Sequence, residues 1–155
     1  MLKDTLLHQF NMTYFVIRRN LDGVETEDAI IRVGEDGANI NWIVGHILAT
    51  RNVFIALLGG EPFWSDEQRA RFASKSEVVV DAAQAMPLAQ MVQTLEQSQE
   101  QLQALLGAST DEDLAAAPED GPPLCIRLGG FAFHESYHAG QIGIMRRVIG
   151  LAGAL

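Results

Sequence analysis

Cysteine is almost absent from this chain of 155 residues, which contains only Cys125. One cysteine cannot form an internal disulfide, and the sequence has no CxxC pair and no Cys/His zinc-finger spacing. The scarcity of cysteine therefore argues against a disulfide scaffold and against a structural zinc finger. Because disulfide-free chains are typical of reducing compartments, we predict a cytoplasmic protein.

Basic residues are also scarce, since 11 Lys and Arg stand against 20 Asp and Glu, which gives a net charge of −9. The basic residues are scattered along the chain and form no cluster larger than a pair. Proteins that bind nucleic acid usually present a basic face, because neutralising phosphates and releasing counterions drives the binding. We therefore expect no nucleic-acid partner.

Long uninterrupted hydrophobic runs are missing as well. The two most apolar stretches, residues 42–58 and 128–149, contain charged or ionisable residues, among them His46 and Arg51 in the first stretch and Glu135 in the second. A membrane-spanning helix needs about 20 predominantly apolar residues. We predict that neither stretch crosses a membrane and expect no membrane partner.

The sequence does contain strong helical periodicity. Four segments carry apolar residues at steps of three and four, which is the pattern of an amphipathic helix. The first carries this pattern from Leu7 to Leu21 and ends at Asp22-Gly23, and the others run over about residues 39–58, 87–106 and 128–149. Val53 and His46 both fall on the predicted inward side of the second helix.

Two further features complete the predicted organisation. A short helix is predicted over residues 110–117, with Thr110 as its cap. A long connection, residues 59–86, follows the second helix, and such connections are usually crossovers or functional loops. Its single β-like run, residues 78–80, is too short to form a sheet. We predict one all-α domain over residues 1–155, a four-helix bundle with a long connection between helices 2 and 3.

Three histidines carry the chemistry suggested by this pattern. His134 and His138 are four residues apart on a helix, so their side chains project from the same face. His46 lies on the inward side of the second helix, three residues after Ile43. The three side chains can meet around one ion, and the open alternative is that they are hydrogen-bonded core residues.

The segment from His134 to His138 also matches HExxH, the zinc-protease signature in which the glutamate is the general base. A zincin usually takes its third ligand from sequence downstream, but residues 139–155 contain no His, Asp, Glu or Cys. The protease hypothesis therefore fails on the third ligand. A metal site must draw that ligand from upstream, where His46 is the leading candidate.

Two motifs resemble those of the DinB superfamily, whose members are regarded as metalloenzymes. The first is Asn41-Trp-Ile-Val-Gly-His46-Ile, and the second is His134-Glu-Ser-Tyr-His138-Ala-Gly-Gln141-Ile. This resemblance implies an up-down-down-up bundle with His46, His134 and His138 as a three-histidine site for nickel, zinc or a similar divalent metal ion. It also implies a homodimer, since members are often homodimeric.

The resemblance further implies a class of chemistry. Three protein ligands leave one metal position open, as in catalytic zinc sites, and that position can hold water or a thiolate. Relatives include transferases and isomerases that use low-molecular-weight thiols such as bacillithiol or mycothiol. We predict a metal-dependent enzyme that acts on a small-molecule substrate, with thiol S-transferase chemistry ahead of metal-dependent hydrolysis.

Two residues beside the histidines are candidates for supporting roles. In HExxH geometry Glu135 can reach metal-bound water, so we predict it as the general base, the alternative being that it points between helices. Gln141 lies three residues after His138 and either hydrogen-bonds a histidine ring or simply packs.

Two hypotheses remain beside the enzyme. One is a non-catalytic, stress-associated homodimer that binds a metal or a small ligand without turnover. The other is a metal-free helical interaction protein, which would require three ordinary core histidines. Chelation that leaves thermal stability unchanged would favour the second of these, because a ligand that binds only the folded state must stabilise it.

Overall fold

The computed structural model describes residues 1–35 and 37–155, and within them the chain is all-helical, with no strand. Four helices are long and three are short. Their bounds are α1 Leu2–Leu21, α2 Thr26–Ala29, α3 Ile40–Leu57, α4 Asp66–Ala70, α5 Leu88–Ala108, α6 Asp111–Ala115 and α7 Leu124–Val148.

The ends of the long helices follow from local sequence. Asn39 caps α3 by accepting a hydrogen bond on its side chain from the Trp42 amide at 2.8 Å. Gly59, with φ of +80°, follows the end of α3 in the left-handed region that glycine adopts most easily. The observed bounds of α3 and α5 agree with the predicted limits to within two residues. The predicted stop of α1 at Asp22-Gly23 is also confirmed.

The last long helix begins earlier than predicted. The periodic pattern indicated a start near residue 128, whereas α7 begins at Leu124, directly after Pro123. Residues 124–127 form a first helical turn that contributes little to the buried core, so apolar periodicity does not reveal it. The proline was the better signal, because its fixed φ suits the start of a helix.

The short helices lie in the connections between the long helices. The predicted short helix is confirmed as α6, with Thr110 accepting a hydrogen bond from the Asp113 amide at 3.1 Å. Helix α4 lies in the long connection and was missed, because five residues are too few to show periodicity. Ser65 and Gln68 form a capping box there, which is the one signal that could have revealed it.

Each long helix packs against two others, through the pairs α1–α7, α3–α7, α3–α5 and α1–α5. Two buried apolar clusters fill the interior. One includes Ile17, Ile43 and Ile142, and the other includes Phe10 and Phe54. Helix α3 is long and apolar enough to span a membrane by length and composition, but 67% of that segment is buried inside the protein. Its hydrophobicity is therefore accounted for by core packing.

The long connection returns across α3 before α5 begins. Phe72 is buried against the helix, and its ring stacks on Trp64 with centroids 5.5 Å apart. Gly45 makes this approach possible, because a Cβ at that position would overlap the Phe72 ring. Val53 differs from its prediction: it is 40% exposed and faces a cavity beside this connection.

Candidate metal centre

The fold brings the three predicted histidines together. His46 comes from α3, and His134 and His138 come from adjacent turns of α7. The Nε2 atom of His134 lies 3.0 Å from Nε2 of His46 and 3.1 Å from Nε2 of His138. One ligand atom from each residue lies within 4.8 Å of the other two, so the group can hold a metal ion.

The ring of His46 is fixed from two sides. Trp42, one turn earlier on α3, stacks on it with ring centroids 4.9 Å apart and planes 12° apart. On its other side, Nδ1 of His46 donates to the Phe72 carbonyl at 2.7 Å. The close packing of Phe72 against Gly45 therefore affects the histidine site, because it positions the carbonyl that orients the His46 ring.

The ring of His138 is held by Gln141. Nδ1 of His138 donates to Oε1 of Gln141 at 2.6 Å, and Nε2 of Gln141 donates to the Tyr137 hydroxyl at 3.3 Å. The second bond agrees with the amide orientation that the first one requires. The first of the two roles considered for Gln141, a hydrogen bond to a histidine ring, is confirmed.

These outer bonds determine where the ring protons lie. A carbonyl oxygen only accepts, so Nδ1 carries a proton in both His46 and His138, and in the neutral form of either ring Nε2 has a lone pair. Nε2 of His134 lies between these two lone pairs and can donate to only one of them. At least one of the two close nitrogen pairs therefore has no proton between its atoms.

No tautomer of His134 satisfies the whole group. Its Nδ1 is buried and has no hydrogen-bond partner among residues 1–35 and 37–155. A proton on Nδ1 would leave both Nε2 contacts as facing lone pairs, and a proton on Nε2 would leave a bare buried Nδ1. A cation between the three Nε2 atoms removes the conflict. Ligand nitrogens of a tetrahedral zinc ion are about 3.3 Å apart, close to the separations found here.

The surroundings favour the neutral forms of His134 and His138. Burial, followed by the proximity of His138 and His46, lowers the pKa of His134 to about 4. Burial also lowers the pKa of His138, assisted by His46 and opposed by its hydrogen bond to Gln141. Because only a neutral imidazole can bind a metal, both shifts favour metal ligation at neutral pH. The donor set and its geometry thus fit a divalent ion.

The structure does not place Glu135 with the histidines. Its two carboxylate oxygens accept from Nε and Nη2 of Arg51, at 2.7 and 3.0 Å, and both side chains are 0% exposed. Arg51 also donates to Oγ of Ser98 at 3.0 Å and to the Leu95 carbonyl at 3.4 Å. Of the two hypotheses for Glu135, the geometry favours the one in which it points between helices.

Two contributors to the site region escaped the sequence analysis. Arg51 interrupts an apolar stretch of the sequence, and a charged residue in such a segment indicates a buried acidic partner. The Phe72 carbonyl carries no side-chain signal at all. Its role follows from the path of the connection, which no local pattern specifies.

A cavity of about 540 Å³ borders the centre at His46. Its walls come from α3, from α4 and the residues that follow it, and from Phe131 on α7. Most of the wall is apolar, and Arg69 and Asp66 are its charged residues among those described. A space of this size suits a small ligand.

Comparisons with known proteins agree with this fold. A family model described as the DinB superfamily matches residues 6–142. A crystal structure described as a conserved protein of locus from Enterococcus faecalis is similar to 94% of this chain and 95% of its own, with a TM-score of 0.72 and 15% sequence identity. At that identity the likeness shows the fold alone. No curated protein matches the sequence.

Proposed function

The chain belongs to the DinB superfamily, and from that premise we propose that it is a metal-dependent enzyme acting on a small molecule. One divalent ion, nickel or zinc, would be held by Nε2 of His46, His134 and His138. The observation that carries this proposal is the convergence of three Nε2 atoms that share too few protons to satisfy one another. Imidazole nitrogens suit both metals.

The chemistry we propose is transfer to or from a low-molecular-weight thiol. When bound, a divalent ion with an open position supplies Lewis acidity that favours the thiolate of a thiol or the hydroxide of water. The protein contributes the ring orientation, through Phe72 and Gln141, and a mostly apolar cavity beside His46. This environment supports a thiol, although metal-dependent hydrolysis uses the same features.

The role of Glu135 as a general base stays a prediction. Acting as a base would require its carboxylate to leave Arg51, which binds both of its oxygens. The Glu135→Gln variant tests the role, because it removes the base and keeps the size of the side chain. Lost turnover with unchanged metal content and unchanged stability would support catalysis. Lost stability would assign Glu135 to positioning α7 against α3.

A second proposal is that the protein forms a homodimer through α7 and α1. Exposed apolar residues follow one side of α7 at alternating steps of seven and four: Ile126, Phe133, Tyr137, Ile144 and Val148. Met12 and Phe15 are exposed on α1, and Met12 shares a groove with Phe133. Exposed apolar residues that follow one side of a helix are typical of a protein interface. A monomer in sedimentation analysis of the wild type would contradict this proposal.

The helix directions support the up-down-down-up bundle that we propose as the topology. Helices α1 and α5 run in opposite directions, since Lys3 donates to the Gly107 carbonyl while Arg18 pairs with Glu96. Helices α3 and α7 are also antiparallel, since His46 meets His134 and His138 whereas Phe54 meets Phe131 near the other end.

A third pair agrees with this topology. Helices α1 and α7 run in the same direction, since Thr13 contacts Ser136 and Asn20 contacts Arg146 further along both helices. We also propose that residues 1–155 form one cytoplasmic domain. The net charge of −9 makes a nucleic-acid partner unfavourable.

The test is turnover by protein of known metal content. Protein loaded with nickel or zinc would be given a low-molecular-weight thiol and an aromatic chloride, and free thiol would be followed with time. We expect thiol loss well above that with metal-free protein or with His134→Ala. Metal binding without thiol consumption would instead support the non-catalytic, stress-associated homodimer, and cleavage of an activated ester alone would support a hydrolase.

A further inference from the structure

The cavity beside His46 has an apolar body and one charged edge. Val53, Phe72 and Phe131 line it together with alanines from α3 and α4, and Arg69 and Asp66 lie at one edge. Its volume of about 540 Å³ is within the range of small-ligand sites, and it is open to solvent on one side. The walls therefore favour a ligand with a short apolar part.

The position of the cavity links it to the three histidines. His46 is part of the wall, and Phe131 lies one turn before His134 on α7. Phe72 is part of the wall, and its carbonyl accepts the hydrogen bond that orients His46. A ligand in the cavity thus contacts a ring of the candidate centre at one end and can reach the charged edge with the other.

Arg69 has hydrogen-bonding capacity that the protein leaves unused. Its guanidinium has five N–H groups, and the bond found for it within the described chain is one from Nη2 to Asp66. Nε of Arg69 is buried and has no partner in residues 1–35 and 37–155. The side chain of Arg69 is 35% exposed, so a ligand in the cavity can approach the N–H groups at the open end of the guanidinium.

The charge of Arg69 also stands out locally. In a chain of net charge −9, a small anion is repelled by most of the surface. Among the described wall residues, Arg69 is the one arginine or lysine, and the side chain of Asp66 is 95% exposed. The guanidinium fork matches a carboxylate, which can accept two parallel N–H bonds from it.

We propose that this cavity binds a small carboxylic acid, with its carboxylate on Arg69, its apolar part against Val53 and Phe131, and its other end at the three-histidine centre. The inference rests on the proposed function, because it assigns a substrate class to the same centre. For a thiol substrate, it specifies a thiol that also carries a carboxylate.

One experiment compares acids with alcohols of the same length. Zinc-loaded protein would be titrated with 3-mercaptopropionate and with 3-mercaptopropanol by calorimetry. We expect the acid to bind about tenfold more tightly, which is the size of one charge-assisted pair at a partly open site. Arg69→Gln should remove this preference, and Arg69→Lys should retain part of it, since lysine keeps the charge without the fork.

Arg71→Gln is the matched control. Arg71 lies two residues further along the same segment and donates to the Gln84 carbonyl at 2.9 Å. Its replacement removes the same charge from the same region and should leave the preference for the acid intact. An equal loss in Arg71→Gln and Arg69→Gln would overturn the proposal, because net charge would then explain the preference.

A second arm separates this inference from the metal proposal. Chelator-treated protein would be titrated with 4-phenylbutyrate and 4-phenylbutanol while the backbone amide resonances of Ala70 and Ala73 are followed. Shifts caused by the acid and lost in Arg69→Gln would support the carboxylate site even if the wild type bound no metal. Bound zinc with no preference for the acid in either arm would overturn the inference and leave the metal centre standing.

Discussion

His134 and Glu135 are adjacent on α7 but belong to two different polar clusters. The clusters differ in whether their buried polar atoms have hydrogen-bond partners. Both oxygens of Glu135 accept from Arg51, which also donates to Ser98 and to a backbone carbonyl. The ion pair therefore finds its hydrogen-bond partners inside the protein. His134 instead faces two Nε2 lone pairs and has a buried Nδ1 without a partner in the described chain. One helix thus carries a satisfied cluster and an unsatisfied one.

This difference separates a structural role from a binding role. A buried ion pair that satisfies its own donors and acceptors can fix α3 against α7 and offers little to a ligand. A cluster of converging lone pairs is unfavourable alone and becomes favourable when a cation joins it. The difference favours a stabilising role for Arg51 and Glu135 and agrees with the proposed metal binding by the histidines.

The largest effect is expected from breaking the ion pair on one side. Arg51→Met leaves the Glu135 carboxylate buried without its partner, so we expect the free energy of unfolding to fall by about 3–5 kcal/mol. Urea denaturation measures this change. The double variant Arg51→Met with Glu135→Leu removes both charges and should recover most of the loss, and a double variant as unstable as the single one would show that the pair is not the cause.

A smaller effect is expected from loading the histidine cluster. Metal at 100 times its dissociation constant should raise the free energy of unfolding by about 2.7 kcal/mol in the wild type. The metal should have no such effect on His134→Leu. In the absence of metal, His134→Leu should be at least as stable as the wild type, because it removes an unsatisfied group. A strong loss of stability in metal-free His134→Leu would make this histidine a structural core residue.

Removing the hydrogen bond that orients one of the candidate ligands also tests the histidine cluster. Gln141→Leu removes the acceptor that orients His138, and we expect metal affinity to fall about 10- to 100-fold. Competition with a metal-binding dye measures this affinity. Gln90→Leu, on the exposed side of α5, is the matched control and should bind metal as the wild type does. Unchanged affinity in Gln141→Leu would mean that the hydrogen bond does not support the site.

A separate effect is expected from pH on the metal-free protein. The pKa of His134 is lowered to about 4 from 6.5, so between these values the unfolded chain binds a proton that the folded chain does not. Stability should therefore fall as the pH is lowered through this window, and His138 contributes in the same direction. His134→Leu should show a shallower dependence in thermal melts. An equally steep dependence in that variant would assign the effect to other groups.

Long-range periodicity made most of the fold predictable. The stripes of α1, α3 and α5 place Phe10, Ile43 and Leu95 in the core, because apolar burial requires that spacing over several turns. Helix α4 and the first turn of α7 were not predictable in this way. One is too short for a period, and the other contributes little to the core.

The candidate site was predictable where side chains share a helix and less so elsewhere. His134 and His138 follow from a step of four residues, and His46 follows from its place on the inward side of the second helix and from the first motif. The structure brings the three together. The pairing of Glu135 with Arg51 could not be read from the HExxH match, because the match constrains spacing along α7 and says nothing of α3. Arg69 is part of the cavity wall because of the path of the long connection, and that path depends on tertiary packing.

The most direct test of the three-histidine centre is the metal content of untagged wild type and of His46→Ala, purified side by side and measured by elemental analysis. His46 is the informative position because it comes from α3, whereas the other two ligands share α7. The account predicts about one equivalent of metal per wild-type chain and almost none in the variant. A wild type that takes up no metal after reconstitution with nickel or zinc would contradict it.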